Sequence, residues 1–179
     1  TPLLEKLLSY LSHYFSTVKE FTIEANPESR TEEKAAIRSR YGVNRVSLGV
    51  ESTNPTTLSY LGRNHTLEQA LAAVSNLKKH NIDNINLDFI YGVSGESLTD
   101  LKEDIQFALN QNVKHLSFYS LQIEQGTVLH NQKTIPVSDD IYRMQYDFLV
   151  SELEKNGFHR YEVSNFAKPG YESKHNLTY

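Results

Sequence analysis

The chain has 179 residues, of which 39% are hydrophobic and 22% charged, a globular composition that excludes a disordered chain, and it has no apolar run long enough to span a membrane. A formal net charge of -4 with scattered lysines and arginines excludes a basic nucleic-acid footprint. The absence of cysteine excludes any disulfide, thiolate zinc site or thiolate-ligated cluster within this chain.

From the N-terminus, Leu3, Leu4, Leu7, Leu8, Leu11 and Phe15 follow a proline at helical spacing and predict an amphipathic helix. The same segment lacks the features of a secretory signal, so a cytoplasmic location is expected. Lys19 to Ala25 predicts a first strand, closed by Asn26-Pro27. A charged helix over Thr31 to Arg40 stops at Gly42, and Arg45 to Val50 predicts a second strand. Asn54-Pro55 opens a short helix ending near Gly62, and Thr66-Leu-Glu-Gln69 has capping-box spacing ahead of a longer one. Ile85 to Tyr91, Ser97 to Asn110 and His115 to Ile123 read as strand, helix and strand. Ser138 caps a helix that ends at Gly157, and Arg160 to Ser164 is the last expected strand.

Strands separated by helices imply right-handed crossovers and a parallel sheet, as one domain. Phe21, Ile23 and Ala25, then Val46, Leu48 and Val50, then Ile85, Leu87 and Phe89 share the face expected to meet the helices. The opposite parity is polar, with Thr22, Glu24 and Asn26, then Ser47, Gly49 and Glu51, then Asn86 and Asp88. A barrel filled only for stability carries branched apolar residues inside, so this interior is expected to be wet or ligand-filled. The fold class is therefore α/β; an open doubly wound sheet is the alternative, and the parity of the strands favours the wall of a parallel (β/α) barrel, an incomplete one since a complete barrel needs roughly 250 residues.

Glu24, Glu51 and Asp88 stand near the C-terminal ends of successive strands, where parallel barrels build their sites. Three carboxylates in one interior repel one another unless donors or cations lie between them, so they ask for a donor-rich ligand. Singly, each is as well read as a solvated rim residue. Arg63 can supply a fork for a ligand carboxylate, although alone it reads as a surface arginine. Gly49 weakens a strand interior and predicts close approach by a ligand or another backbone. The seven histidines show no pair at helical metal spacing, and most of them read as surface or capping residues. No Gly-x-Gly-x-x-Gly or Walker loop is present.

Five motifs occur in order: Ile23-Glu-Ala-Asn-Pro27, Gly42-Val-Asn-Arg-Val-Ser-Leu-Gly-Val-Glu-Ser52, Leu61-Gly-Arg63, Asn86-Leu-Asp-Phe-Ile-Tyr-Gly92 and His175-Asn-Leu-Thr-Tyr179. Together they resemble the radical-SAM oxygen-independent coproporphyrinogen oxidase group, and within it the HemW branch of haem chaperones. The resemblance implies a partial radical-SAM barrel over residues 1–166, with 167–179 beginning the connection to a further domain. It implies S-adenosylmethionine (SAM) across the strand ends, with Glu24 on its ammonium, Arg63 on its carboxylate, Glu51 and Asp88 on its ribose, and Gln122 near the adenine. The group usually has glutamine where this chain has Glu51, which puts that contact in question. Its [4Fe-4S] cluster, held by a Cys-x-x-x-Cys-x-x-Cys loop ahead of the matched region, is expected only in a longer protein, so this chain alone is expected to be inactive.

Three functions follow. The first is radical decarboxylation of a porphyrinogen propionate. The second is haem trafficking, with His175 as a candidate axial ligand. The third is a cluster-free barrel enzyme using its carboxylates for acid-base chemistry. Haem or a porphyrinogen is the expected small-molecule partner, nucleic acid is not, and open barrel edges predict self-association.

Overall fold

The computed structural model describes residues 2–15, 17–29 and 31–178. Tyr179, the end of the fifth motif, lies outside them. The elements in order are α1 (Pro2–Ser12), β1 (Thr22–Ala25), α2 (Glu32–Arg40), β2 (Arg45–Glu51), α3 (Pro55–Tyr60), α4 (Leu67–Lys79), β3 (Asn84–Tyr91), α5 (Leu98–Asn110), β4 (His115–Ser120), α6 (Val128–Asn131), α7 (Asp139–Lys155), β5 (His159–Arg160) and β6 (Asn165–Ala167). Side-chain caps fix the helix starts: Thr66 with Gln69, and Ser97 with Asp100, form reciprocal capping boxes at α4 and α5.

The sheet order is β1-β2-β3-β4-β6-β5 and the sheet does not close. The first four strands are parallel, in agreement with the crossover argument. The rear of the sheet departs from it. Arg160 to Ser164, expected as one strand, is mostly the turn between the short strands β5 and β6, which pair antiparallel with each other and β6 with β4. A run interrupted by Asn165 and followed by Pro169 has no 3.6 or 2 periodicity long enough to reveal a hairpin. Among the described residues no helix is long and apolar enough to cross a membrane.

The core lies between the outer sheet face and the helices. Val46, Leu48, Val50, Ile85, Leu87, Phe89, Leu116 and Phe118 are each at most 1% exposed. They meet Ala70, Val74 and Leu77 of α4, Leu101, Ile105 and Ala108 of α5, and Leu149 and Leu153 of α7 in one cluster. Phe89 stacks on Phe118 with centroids 4.8 Å apart, and Phe107 meets Phe89 edge-on. Full burial of each such side chain stabilises the fold by about 1.5–3 kcal/mol.

Candidate cofactor site

The inner sheet face carries two adjoining chambers. The upper, about 500 Å³, is lined by Glu24, Asn26, Ser47, Gly49, Glu51, Arg63, Asp88 and Tyr119 among others. The lower, about 740 Å³, is lined by Arg45, Ser47, Asn86, Ser117 and Asn165 on the strands and by Ser173, Lys174, His175 and Asn176 of the tail. Glu24, Ser47 and Tyr119 line both. These volumes fall in the range of small-molecule and cofactor sites, about 300–1,000 Å³.

Alternation along β1 and β3 brings Glu24 and Asp88 to the upper chamber, the turn at the end of β2 brings Glu51, and the loop after α3 brings Arg63. Glu51 is the most constrained. Its φ is +65°, and the pairing of β2 with β3 shifts register between Gly49 and Glu51. The Ser52 amide donates to Val50 O at 2.8 Å across it, closing a three-residue turn that re-aims the side chain. Buried His65 bonds the same Val50 carbonyl at 2.8 Å. Buried Asp104, on α5, accepts from the Thr53 amide at 2.5 Å, from Thr53 Oγ1 at 2.6 Å and from Ser52 Oγ at 3.1 Å. The loop after β2 is thus held from both sides.

Arg63 Nη2 donates to Glu51 Oε1 at 2.7 Å. Burial pushes the Glu51 carboxyl up to about 6; Arg63 opposes that rise and the charge of Asp88 adds to it. Gly49 lies against two side chains of the chamber. A side chain there would meet Glu51 Oε1 at 2.8 Å and Asn26 Oδ1 at 3.5 Å, so neighbouring side chains come close to this position.

Asp88 is held from below. Asn86 Nδ2 donates to Asp88 Oδ1 at 2.7 Å, and Ser47 Oγ donates to Asp88 Oδ2 at 2.7 Å. Sequence reasoning missed the group behind Asn86. His115 is fully buried, with Nδ1 2.7 Å from Asn86 Oδ1 and Nε2 2.6 Å from the Tyr161 hydroxyl. Burial, with the positive charge of Arg45, pushes the imidazole down to about 3, so it is neutral. His65 and His115 are the two buried histidines among the described residues, the others being exposed or half-buried; the parity of His115 with Ser117 on β4 was the available signal.

Gln122 is exposed, donates to Ser120 Oγ at 3.0 Å and lines neither chamber, so the structure does not bring it to the other site residues. His175 lines the lower chamber, away from Arg63 and Glu51. The segment before it is clasped to the start of β1, where Glu20 accepts from Ser173 Oγ and the Lys174 amide.

The donor set fits SAM. Three carboxylates and one guanidinium suit a ligand with two cationic centres, a carboxylate and a vicinal diol. It does not fit an iron-sulfur cluster, because the chain has no cysteine, and among the described residues no group of histidine, aspartate and glutamate could hold a metal ion.

Comparison with known proteins agrees with this geometry. A sequence model of the Radical SAM superfamily matches residues 1–108. The chain is 38% identical to the haem chaperone HemW of Lactococcus lactis subsp. lactis, covering 98% of this chain and 48% of that protein, and the HemW of Bacillus subtilis matches to the same extent. The mitochondrial radical S-adenosyl methionine domain-containing protein 1 of Danio rerio is 34% identical over 92% of this chain and 38% of its own length. The chain thus spans about half the length of the HemW relatives it matches. Among solved structures, the radical SAM coproporphyrinogen III oxidase HemN of Escherichia coli superposes with a TM-score of 0.80 at 18% identity, over 97% of this chain and 42% of that one, which shows a shared fold. The matched family model, the open (β/α) sheet and the carboxylate-lined chamber at its strand ends converge, and the chain belongs to the radical SAM superfamily.

Proposed function

We propose that this chain forms the SAM-binding wall of a HemW-like protein that handles haem. The observation that carries the SAM assignment is the convergence of Glu24, Glu51, Asp88 and Arg63 on one chamber at the C-terminal ends of β1 to β3. Glu24 accepts from the ligand ammonium, Asp88 from the ribose hydroxyls, and Arg63 pairs with the ligand carboxylate once released from Glu51. When bound beside a reduced cluster, SAM supplies a 5′-deoxyadenosyl radical; this chain's own part is to bind and orient it.

The haem reading rests on the names of the HemW relatives and on His175, which lines the lower chamber. Decarboxylation of a porphyrinogen has weaker support, since the likeness to HemN is one of fold.

Calorimetric titration with SAM, beside a Glu24→Ala variant, tests the assignment. Binding that the variant loses by tenfold or more supports it, and a folded protein that ignores SAM refutes it. Loss of the haem Soret shift in His175→Ala, with SAM binding unchanged, supports the haem reading.

A further inference from the structure

We propose that His115 is a positioning residue for Asp88, acting through Asn86 and locked into one tautomer by Tyr161 and the tail. The inference rests on the reading of Asp88 as a ligand-binding carboxylate, and it follows from counting donors and acceptors along one line of contacts.

The Tyr161 hydroxyl receives two donors from the tail: the Ser173 amide at 3.2 Å and Asn176 Nδ2 at 3.2 Å. Both lone pairs are then engaged, and its single proton is directed to the remaining neighbour, His115 Nε2, at 2.6 Å. A neutral imidazole that accepts at Nε2 carries its proton on Nδ1. That proton points to Asn86 Oδ1, 2.7 Å away.

The consequence falls on the amide. With its oxygen held by His115, and Ser117 Oγ 3.2 Å from the same oxygen, Asn86 turns its Nδ2 towards Asp88 Oδ1 and Ser47 Oγ, each at 2.7 Å, with Ser117 Oγ a further neighbour at 2.9 Å. Ser47, accepting from Asn86, donates its own proton to Asp88 Oδ2 at 2.7 Å. The opposite orientation of Asn86 would set a carbonyl oxygen against a carboxylate, a repulsive contact in a partly buried site. Both oxygens of Asp88 are thereby held by donors lying on its floor side. A His115 with its proton on Nε2 would lose this selection, because Nδ1 would then ask Asn86 for a donor.

The experiment combines spectroscopy with binding. Long-range proton-nitrogen correlation spectra of the protein report the His115 tautomer. Titration with SAM is run on wild type, His115→Leu, His115→Asn, Tyr161→Phe and Asp88→Ala, each checked for folding by circular dichroism. The expected spectrum is a single neutral tautomer with the proton on Nδ1 between about pH 5 and 8, joined by the Nε2–H form in Tyr161→Phe. SAM affinity should fall about tenfold in His115→Leu and recover to within about threefold in His115→Asn, which keeps a donor near Nδ1. His115→Leu should cost nothing further in an Asp88→Ala background.

A wild-type proton on Nε2 overturns the proposal, as does unchanged affinity in folded His115→Leu. Should His115→Leu unfold, Tyr161→Phe decides: a tautomer and an affinity both unchanged overturn the proposal. If wild type ignores SAM, the reading of the chamber fails, and the tautomer alone then decides whether the relay exists.

Discussion

The Arg63 guanidinium lies 2.7 Å from Glu51 Oε1, so the cation that would receive a ligand carboxylate is already engaged by a neighbouring side chain. The pair is unevenly hydrated, the Arg63 side chain being 38% exposed and that of Glu51 8%. Ligand binding must therefore compete with an internal ion pair. Glu51→Gln removes that competitor and the cost of burying its charge. SAM affinity is expected to rise several-fold, on the order of 0.5–1 kcal/mol, in calorimetric titration. A loss of affinity would assign the ribose contact to the Glu51 carboxylate itself.

Asp104 is expected to govern Glu51 from outside the chamber. Burial pushes its carboxyl up to about 6, against the hydrogen bonds from Thr53 and Ser52. Asp104→Asn sets an amide group against these donors, and a loss of about 1–3 kcal/mol is expected in denaturant unfolding. With the Ser52-Thr53 loop freed, SAM affinity falls as well. Unchanged unfolding would show that the loop holds without this side chain.

Glu96 makes the fold sensitive to pH. Burial drives its carboxyl up to about 7, although the Gly92 and Val93 amides and Gln145 donate to it. The folded state thus favours the protonated form. The resulting stabilisation is complete below the ordinary carboxylate range and is lost as pH rises through about 7. Glu96→Gln imitates the protonated group. Its melting temperature should match that of wild type near pH 5 and exceed it by several degrees near pH 8, reflecting about 1–2 kcal/mol. Parallel melting curves across that range would refute the assignment.

Gly92 admits no side chain. Its φ is +78°, and an added Cβ would overlap the Tyr142 ring. Gly92→Ala is expected to cost about 2–4 kcal/mol in denaturant unfolding, combining backbone strain with a ring that must move. A cost below about 1 kcal/mol would show that α7 shifts freely.

The parallel part of the sheet and the polar inner face were legible because period-two alternation in β1 to β3 places Glu24, Ser47, Asn86 and Asp88 on one side. Other features depend on groups far apart in sequence. The grip of Arg63 on Glu51 spans 12 residues and a turn with positive φ that a glutamate does not announce. His115 looked like one of seven ordinary histidines because its partners Asn86 and Tyr161 lie 29 and 46 residues away. The β5–β6 hairpin escaped for a different reason: strands of two and three residues leave no pattern to count.

The clasp of Glu20 on Ser173 and Lys174 joins residues 153 and 154 positions apart. A contact of such sequence separation carries a large loop-closure entropy, which falls once the intervening strands and helices have shortened the path between its ends. Docking of the tail is therefore expected late in folding. The lower chamber gains its tail-side wall last, and local opening at the Lys174 amide should exchange hydrogen with solvent well before the β3 core does.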